Sequence, residues 1–145
     1  MAVNPKYIGK KYPPSTYEVG REKVREYADA IGDMNPLCRS LEKARASKYG
    51  NIVAPPTFAV VYAKEPVGRM LLDPDLSLNL PMLVHGEQEF EFHNVVLAGD
   101  EITTEGEITE IYEKKGKDFV TCTTTSKNQR GELVCTGRWT FVVRG

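Results

Sequence analysis

A short stretch in the first third of the chain places a carboxylate, an amide and a thiol close together. Residues 32–38 contain Asp33, Asn35 and Cys38, with Pro36 between the last two. Because proline fixes its own φ angle and biases the residue before it toward an extended conformation, the turn brings Asp33 and Cys38 to one side of a loop. A carboxylate held there can orient a water molecule for general acid/base chemistry. An unperturbed cysteine, with a pKa of about 8.5, stays mostly a neutral thiol.

Asp33 also has a purely structural interpretation. Gly32 follows a predicted helix, and a Gly-Asp pair in that position is a common way to end a helix, with the carboxylate hydrogen-bonded to its own turn. The residue types alone favour this structural role.

The order of residue types in 32–38 closely resembles the signature of the R-specific enoyl-thioester hydratases and dehydratases, the MaoC-like branch of the hot-dog fold. That signature reads Gly-Asp-x-Asn-Pro-aliphatic-His and follows an aromatic and small residues, as Tyr27 and Ala28 precede it here. In the family the Asp and the His share the acid/base work on an acyl thioester. The resemblance therefore implies Asp33 and Asn35 as catalytic candidates, active or vestigial, with Cys38 at the position of the family His.

Two helices are predicted on either side of this stretch. Over 21–31 the apolar residues recur at the i, i+3, i+4, i+7 spacing of one helical face, and a glycine ends the helix. Ser40 is the predicted N-cap of a second helix over 41–49, which Gly50 would end. The cations of this second helix either face solvent or, through Arg45 and Lys48, contact the phosphates of coenzyme A or of a carrier protein's phosphopantetheine.

The apolar run 58–63 follows a Pro-Pro-Thr sequence and is predicted to be buried. Its periodicity fits a helix and a strand equally, and the resemblance favours the central helix around which a hot-dog sheet wraps. Pro66 should kink or break that helix, with 67–72 continuing beyond it. In such a fold the acyl tail would lie between the helix and inward strand residues. The residues predicted to bind it are Phe58, Val61, Tyr62, Phe90 and Phe92.

The rest of the chain is predicted to form antiparallel strands, a short one near 16–19 and longer ones over 84–94, 101–112, 118–127 and 132–143. Strict alternation puts Val84 with two phenylalanines on one face, and His85 and His93 with the glutamates on the other. If this charged face meets a partner, His85 and Glu87 are interface candidates that could pair across it. In the next strand, alternation puts Ile102, Thr104, Ile108 and Tyr112 on one face.

The three cysteines are predicted to be unpaired. If Lys127 pairs with Glu132, Cys122 faces Gly137 and lies diagonal to Cys135, too far for an unstrained disulfide. Both are interpreted as small core residues, and the absence of metal-like spacing indicates a reducing cytoplasm.

Composition limits the function further. The chain has 145 residues and a formal net charge of −1, which fits one domain over 1–145 and gives no basic field for nucleic acid. No apolar run approaches the roughly 18 residues of a membrane span. We therefore expect a cytoplasmic protein with no membrane partner, no cofactor and no metal.

The order of helices followed by strands predicts an α+β fold, a single hot dog with an antiparallel sheet wrapped around a central helix. Such a sheet leaves its edge strands open, so edge-to-edge pairing in a dimer is the expected outcome.

Three further blocks narrow the resemblance to the N-terminal, HadA/HadC-type subunit of bacterial hydroxyacyl-thioester dehydratases: residues 54–58, 85–88 and 97–100. This implies a non-catalytic subunit that accommodates the acyl chain of an acyl-CoA or acyl-carrier protein and pairs, as a homodimer or heterodimer, with a catalytic hot dog. The alternatives are a self-sufficient R-specific hydratase using Asp33, an acyl-thioester binding module without chemistry, and a thioesterase using Glu65.

Overall fold

Five antiparallel strands and a central helical segment make up the fold, and the computed structural model describes residues 2–144. The strands are β1 (Lys11–Glu18), β2 (Leu83–Phe92), β3 (Glu101–Lys114), β4 (Lys117–Lys127) and β5 (Leu133–Val143), in the sheet order β1-β3-β4-β5-β2. The helices are α1 (Arg21–Ile31), α2 (Leu41–Ala46), α3 (Ala59–Tyr62) and α4 (Lys64–Leu71). Single 3-10 turns lie at Pro5–Tyr7, Pro36–Cys38, Pro56–Phe58 and Leu80–Met82. This architecture confirms the predicted α+β hot-dog fold.

The first helix has the predicted bounds. Val24 and Ala28, on its apolar face, are fully buried. Gly32 has a φ of 71°, a left-handed conformation that glycine adopts without strain, and its N–H donates to the carbonyls at the helix end. The turn into the loop is therefore set by local sequence.

The second helix is shorter than predicted. The Ser40 hydroxyl caps it by accepting the Lys43 N–H at 3.2 Å, as expected. The helix ends at Ala46 because the Ser47 hydroxyl donates to the Ala44 carbonyl at 2.6 Å. If the helix continued, that carbonyl would instead accept a backbone N–H of the next turn. Gly50 lies in the turn beyond the helix, with a φ of 73°.

The central helical segment runs through Pro56–Phe58, α3 and α4, and it breaks at Ala63. Pro66 lies in the first turn of α4, where its missing N–H has no helical partner to lose. The helix is therefore interrupted as predicted for Pro66, and the break lies three residues before the proline, because the proline ring clashes with the carbonyl four residues earlier, that of Tyr62. The Thr104 hydroxyl donates to that carbonyl at 3.4 Å.

Close packing of α4 on β3 depends on a glycine. A Cβ added at Gly106 would lie 2.7 Å from the Pro66 Cβ and 3.3 Å from the Cys122 Sγ, both closer than normal contact. The absence of a side chain at this position lets the helix approach the sheet, and the core forms between them.

A bulge at Gly86 reverses the predicted faces of the first residues of β2. The register shifts between His85 and Glu87, so His85 opposes Phe141. Because opposed residues share a face, His85 lies on the inner face, which packs on the central helical segment, and Val84 lies on the outer face with the glutamates. The face predictions for His85 and Val84 were wrong for this reason.

A second bulge, at Thr109, shifts the faces of β3. Ile111 becomes the buried residue, while Tyr112 is exposed and stacks on Phe119 at a centroid distance of 4.9 Å. The prediction that Tyr112 shares a face with Ile102 and Ile108, which are buried, was therefore wrong.

The register between β4 and β5 also differs from the prediction. It shifts after Ser126, so that Lys127 pairs with Leu133 and Cys122 opposes Trp139 rather than Gly137. Cys122 and Cys135 are nevertheless buried and unpaired, as expected.

Within residues 2–144, no helix is long and apolar enough to cross a lipid bilayer. The single-domain boundary and the cytoplasmic location stay predictions.

Candidate functional site

The loop after α1 is shaped by its own side chains. Asp33 Oδ1 accepts the N–H of Asn35 at 2.9 Å, and Asn35 Oδ1 accepts the N–H of Leu37 at 3.0 Å. These two bonds form the Asn-Pro turn and start the 3-10 turn Pro36–Cys38. Asp33 therefore has the structural role that its residue type favoured, in addition to its position in the family signature.

Arg39 connects this loop to α1 through a hydrogen bond and an ion pair. Its Nε donates to the Asp33 carbonyl at 3.0 Å, and its guanidinium forms an ion pair with Asp29 of α1. Both ends of the motif are thus held against the same helix.

Cys38, at the end of the loop, is only 2% exposed. Burial raises the pKa of its thiol, and the negative charge of Asp33 raises it further. The thiol is therefore protonated at neutral pH, when it is a weak donor and a weak acceptor. It cannot exchange a proton with water near neutrality as an imidazole does.

A cavity of about 400 Å³, here called the loop cavity, opens beside this motif. Asn35 and Leu37 of the loop line it together with Tyr62 of α3 and Phe92 of β2. The other lining residues are Tyr49, Val53, Ala54, Pro55, Pro56, His93, Asn94, Val95 and Val96. Its size and largely apolar lining suit a small organic ligand.

The predicted tail-binding residues are distributed unevenly around this cavity. Tyr62 and Phe92 line it, and burial raises the pKa of the Tyr62 hydroxyl, which stays neutral. The centroid of the Phe90 ring lies 5.6 Å from that of Phe92, and the two rings form an aromatic wall on the inner face of β2. Phe58 is fully buried, and half-buried Val61 is not among the lining residues.

Of the two predicted phosphate-binding cations, Lys48 contacts a residue of the loop cavity lining. Arg45 on α2 and Lys48 beyond it are both exposed. Lys48 Nζ lies 5.2 Å from the centroid of the Tyr49 ring, and Tyr49 lines the loop cavity. The exposed Lys48 cation therefore lies next to the cavity lining, and its role in binding phosphate stays a prediction.

A larger groove of about 1080 Å³, here called the aromatic groove, lies between α4, the start of β1 and the inner face of β2 and β5. The His85 ring stacks there at 4.7 Å from Phe141 and 6.0 Å from Trp139. Sequence reasoning missed this groove. Its signal in the sequence was alternation over the predicted strand 132–143, which puts Trp139 and Phe141 on the same, inward face.

A polar cluster closes one end of the aromatic groove. Asp73 Oδ2 accepts hydrogen bonds from Lys10 Nζ and from the Tyr12 hydroxyl, both at 2.6 Å, and Lys10 also contacts Asp75 at 2.9 Å. Burial alone would raise the pKa of Asp73, but the bonds from Lys10 and Tyr12 outweigh it and hold the pKa below its usual value. Glu65, the thioesterase candidate, is exposed, lines the same groove and pairs with Arg69 at 3.0 Å.

A sheet wrapped on a central helix, with a Gly-Asp-x-Asn-Pro loop beside an apolar cavity, defines a MaoC-like hot-dog protein of the hydratase and dehydratase class. The chain belongs to the family described as the FAS1-like dehydratase domain region, whose family model matches residues 6–137. A UPF0336 protein of Saccharopolyspora erythraea is 42% identical over 146 residues, which cover 100% of this chain and 94% of the relative.

Solved structures agree with this family. The HadBC complex of Mycobacterium tuberculosis, a (3R)-hydroxyacyl-ACP dehydratase, has a chain that matches with a TM-score of 0.81 and 32% identity over 94% of this chain and 96% of its own length. A MaoC-like dehydratase matches with a TM-score of 0.81 and 33% identity, and the match covers 94% of this chain but 42% of the larger protein.

Proposed function

We propose that this chain is the non-catalytic, acyl-accommodating subunit of a (3R)-hydroxyacyl-thioester dehydratase or enoyl hydratase of fatty-acid metabolism. The observation that carries the proposal is Cys38, a buried and protonated thiol at the position of the family His. A positioned general acid or base contributes about 10²- to 10⁴-fold to such a rate. Asp33, whose carboxylate already orders the loop backbone, supplies at most half of the acid/base pair.

The start of the central helical segment gives a second argument. Negative charge develops on the thioester oxygen during the reaction and needs N–H donors, which a helix N-terminus can supply. Here Pro55 and Pro56 have no amide hydrogen, and the Phe58 N–H is donated to the Pro55 carbonyl at 2.8 Å. The segment therefore offers few amides to a thioester oxygen in the loop cavity.

The two cavities suit an acyl tail. From Phe92 in the loop cavity, Phe90 and Trp139 continue the aromatic wall along the inner face to His85 in the aromatic groove. At about 3.3 Å per residue, β2 extends roughly 20 Å from Phe92 to His85. An aromatic wall of this length can accommodate a long acyl chain. The thioester head would lie at the loop and the tail along this wall.

A second hot-dog chain completes the proposed enzyme by pairing with β2. The other edge strand, β1, carries Pro13 and Pro14 in a register shift, and prolines remove N–H donors and so protect an edge. The β2 strand has ten residues without a proline and presents the longer edge for pairing. The HadBC relative is itself described as a complex, which supports assembly of this kind.

The substrate is an acyl-CoA or an acyl-carrier protein. Lys48 would contact the phosphates of either carrier as the thioester enters, since its Nζ lies beside Tyr49, which lines the loop cavity. Arg45, exposed on α2, is the second candidate.

Hydration of a 2-enoyl thioester tests the proposal. The chain is assayed alone and co-purified with a hot-dog chain that has an intact Gly-Asp-x-Asn-Pro-x-His loop. We expect little turnover alone, and turnover by the complex that barely changes on Asp33→Asn in this chain. The corresponding Asp→Asn change in the catalytic chain should abolish it.

Two outcomes would replace the proposal. Brisk turnover by the isolated chain, abolished by Asp33→Asn, would establish a self-sufficient R-specific hydratase. Thioester binding without turnover in either preparation would establish a binding module.

A further inference from the structure

The exposed edge strand β2 carries a row of glutamates. Glu87, Glu89 and Glu91 alternate along the outer face, and all three are exposed. Arg138 Nη1 lies 3.7 Å from Glu89 Oε2, but its Nη2 is engaged by Glu110 at 2.5 Å. Arg138 therefore compensates little of the negative charge of Glu87, Glu89 and Glu91, here called the edge glutamate row.

Pairing of two identical β2 strands about a two-fold axis would bring this row against itself. Residues that oppose each other directly share a face, so a register that keeps both inner faces on one side pairs outer residues with outer residues. Within 87–92 the outer residues are all glutamates. Every such antiparallel register of this segment places a glutamate opposite a glutamate, for example Glu87 opposite Glu89, or Glu89 opposite its own copy.

We infer that the edge glutamate row is a selectivity device: it weakens self-association and selects a different hot-dog chain whose edge strand presents basic or neutral side chains on its outer face. Like charges directly opposed across two strands are destabilising, whereas opposite charges stabilise the pair. This inference rests on the proposed function, which supplies a second hot-dog chain as the occupant of the edge.

Sedimentation equilibrium of the full chain at low ionic strength tests the first half. The E87Q/E89Q/E91Q variant removes the charge and keeps the side-chain size. In the register that opposes Glu87 and Glu89, two symmetry-related pairs change, so the homodimer Kd of the variant should fall by about 2- to 30-fold. Added salt should tighten wild-type self-association by screening the like charges, and should have little effect on the variant.

The matched control carries the same change of charge elsewhere. E18Q/E101Q/E105Q neutralises three exposed glutamates of β1 and β3, and it should leave the Kd unchanged. A wild-type dimer as tight as that of E87Q/E89Q/E91Q, at both low and high salt, would overturn the inference.

Mixing the wild-type chain with its own E87K/E89K/E91K variant tests the second half. We expect a heterodimer that is tighter than either homodimer and that weakens with salt, since the opposed charges now attract. A mixture that associates no more tightly than its components would refute partner selection by the row.

The sedimentation results and the test of the proposed function can fail independently of each other. Neither sedimentation measurement involves an acyl thioester or catalysis. If the lysine variant pairs but no catalytic hot dog gains activity from the wild-type chain, the proposed function fails while the charge selection stands.

Discussion

The Cys38→His variant places an imidazole at the end of a loop that already holds Asp33 and the Asn-Pro turn. A general acid/base contributes about 10²- to 10⁴-fold, but recovery should be partial. Cys38 is 2% exposed, so the larger ring must displace its neighbours, and overpacking of this kind costs about 1–3 kcal/mol. We therefore expect hydration of a short 2-enoyl thioester to rise about 10- to 100-fold above that of the wild-type chain.

The pH profile identifies the source of that gain. An imidazole acting as base must be neutral, so the recovered rate should rise with pH through a value near the ordinary histidine pKa of about 6.5. Cys38→Gln, which is polar and of comparable size but does not titrate, is the control and should show no gain. Adding Asp33→Asn to Cys38→His should remove it.

Steady-state kinetics of the isolated variants decide the question. If the wild-type chain already turns over as fast as Cys38→His and Asp33→Asn abolishes that rate, the assignment of Cys38 as a lost base is refuted. A Cys38→His protein that folds, as judged by its thermal unfolding, and yet gains nothing would show that the loop no longer positions the water.

Three further changes probe the tail site and the fold. Phe92→Ala removes part of the aromatic wall and should weaken calorimetrically measured binding of a long-chain 2-enoyl thioester about tenfold. Gly106→Ala forces a methyl group to 2.7 Å from the Pro66 Cβ and should lower the free energy of unfolding in urea by about 1–3 kcal/mol. Tyr12→Phe removes the 2.6 Å bond to Asp73 and should lower it by about 1.5–3 kcal/mol at neutral pH. The pKa of Asp73 is lower in the folded protein than in the unfolded chain. The stability that the bond adds is therefore complete above the unfolded-state pKa of Asp73 and is lost as pH falls through its folded-state pKa. The wild-type and Tyr12→Phe proteins should therefore have similar stabilities in strong acid.

Each of these changes has a control or a contrary outcome. Tyr112→Ala removes a similarly exposed aromatic ring from the outer face and should leave thioester affinity unchanged; equal losses for both variants would remove the tail from the inner face. Gly68→Ala, which has open space around the added methyl, should not destabilise α4. A Tyr12→Phe deficit that persists unchanged into strong acid would show that Asp73 is not its source.

The sequence by itself determined the features that depend on neighbouring residues. The apolar spacing of 21–31 and the glycine after it gave α1 and its end, because a helical face and a left-handed cap are local properties. The Asp33 and Asn35 side chains likewise shape a loop only a few residues long. The family signature was read from this same local order.

Only the tertiary structure decided where the alternation of the strands is interrupted and which cavities the side chains line. A bulge depends on the twist and packing of paired strands, so alternation misplaced His85 and Tyr112. Gly86 was a signal in the sequence, because a glycine inside a strand often marks a bulge. The fold shows why glycine is needed there, since a Cβ would lie 2.8 Å from the Val142 Cγ2. The aromatic groove combines residues from β1, α4, β2 and β5, and no local pattern could bring them together. The burial that keeps Cys38 protonated is also a property of the packed fold, since it arises from atoms distant in sequence rather than from the loop itself.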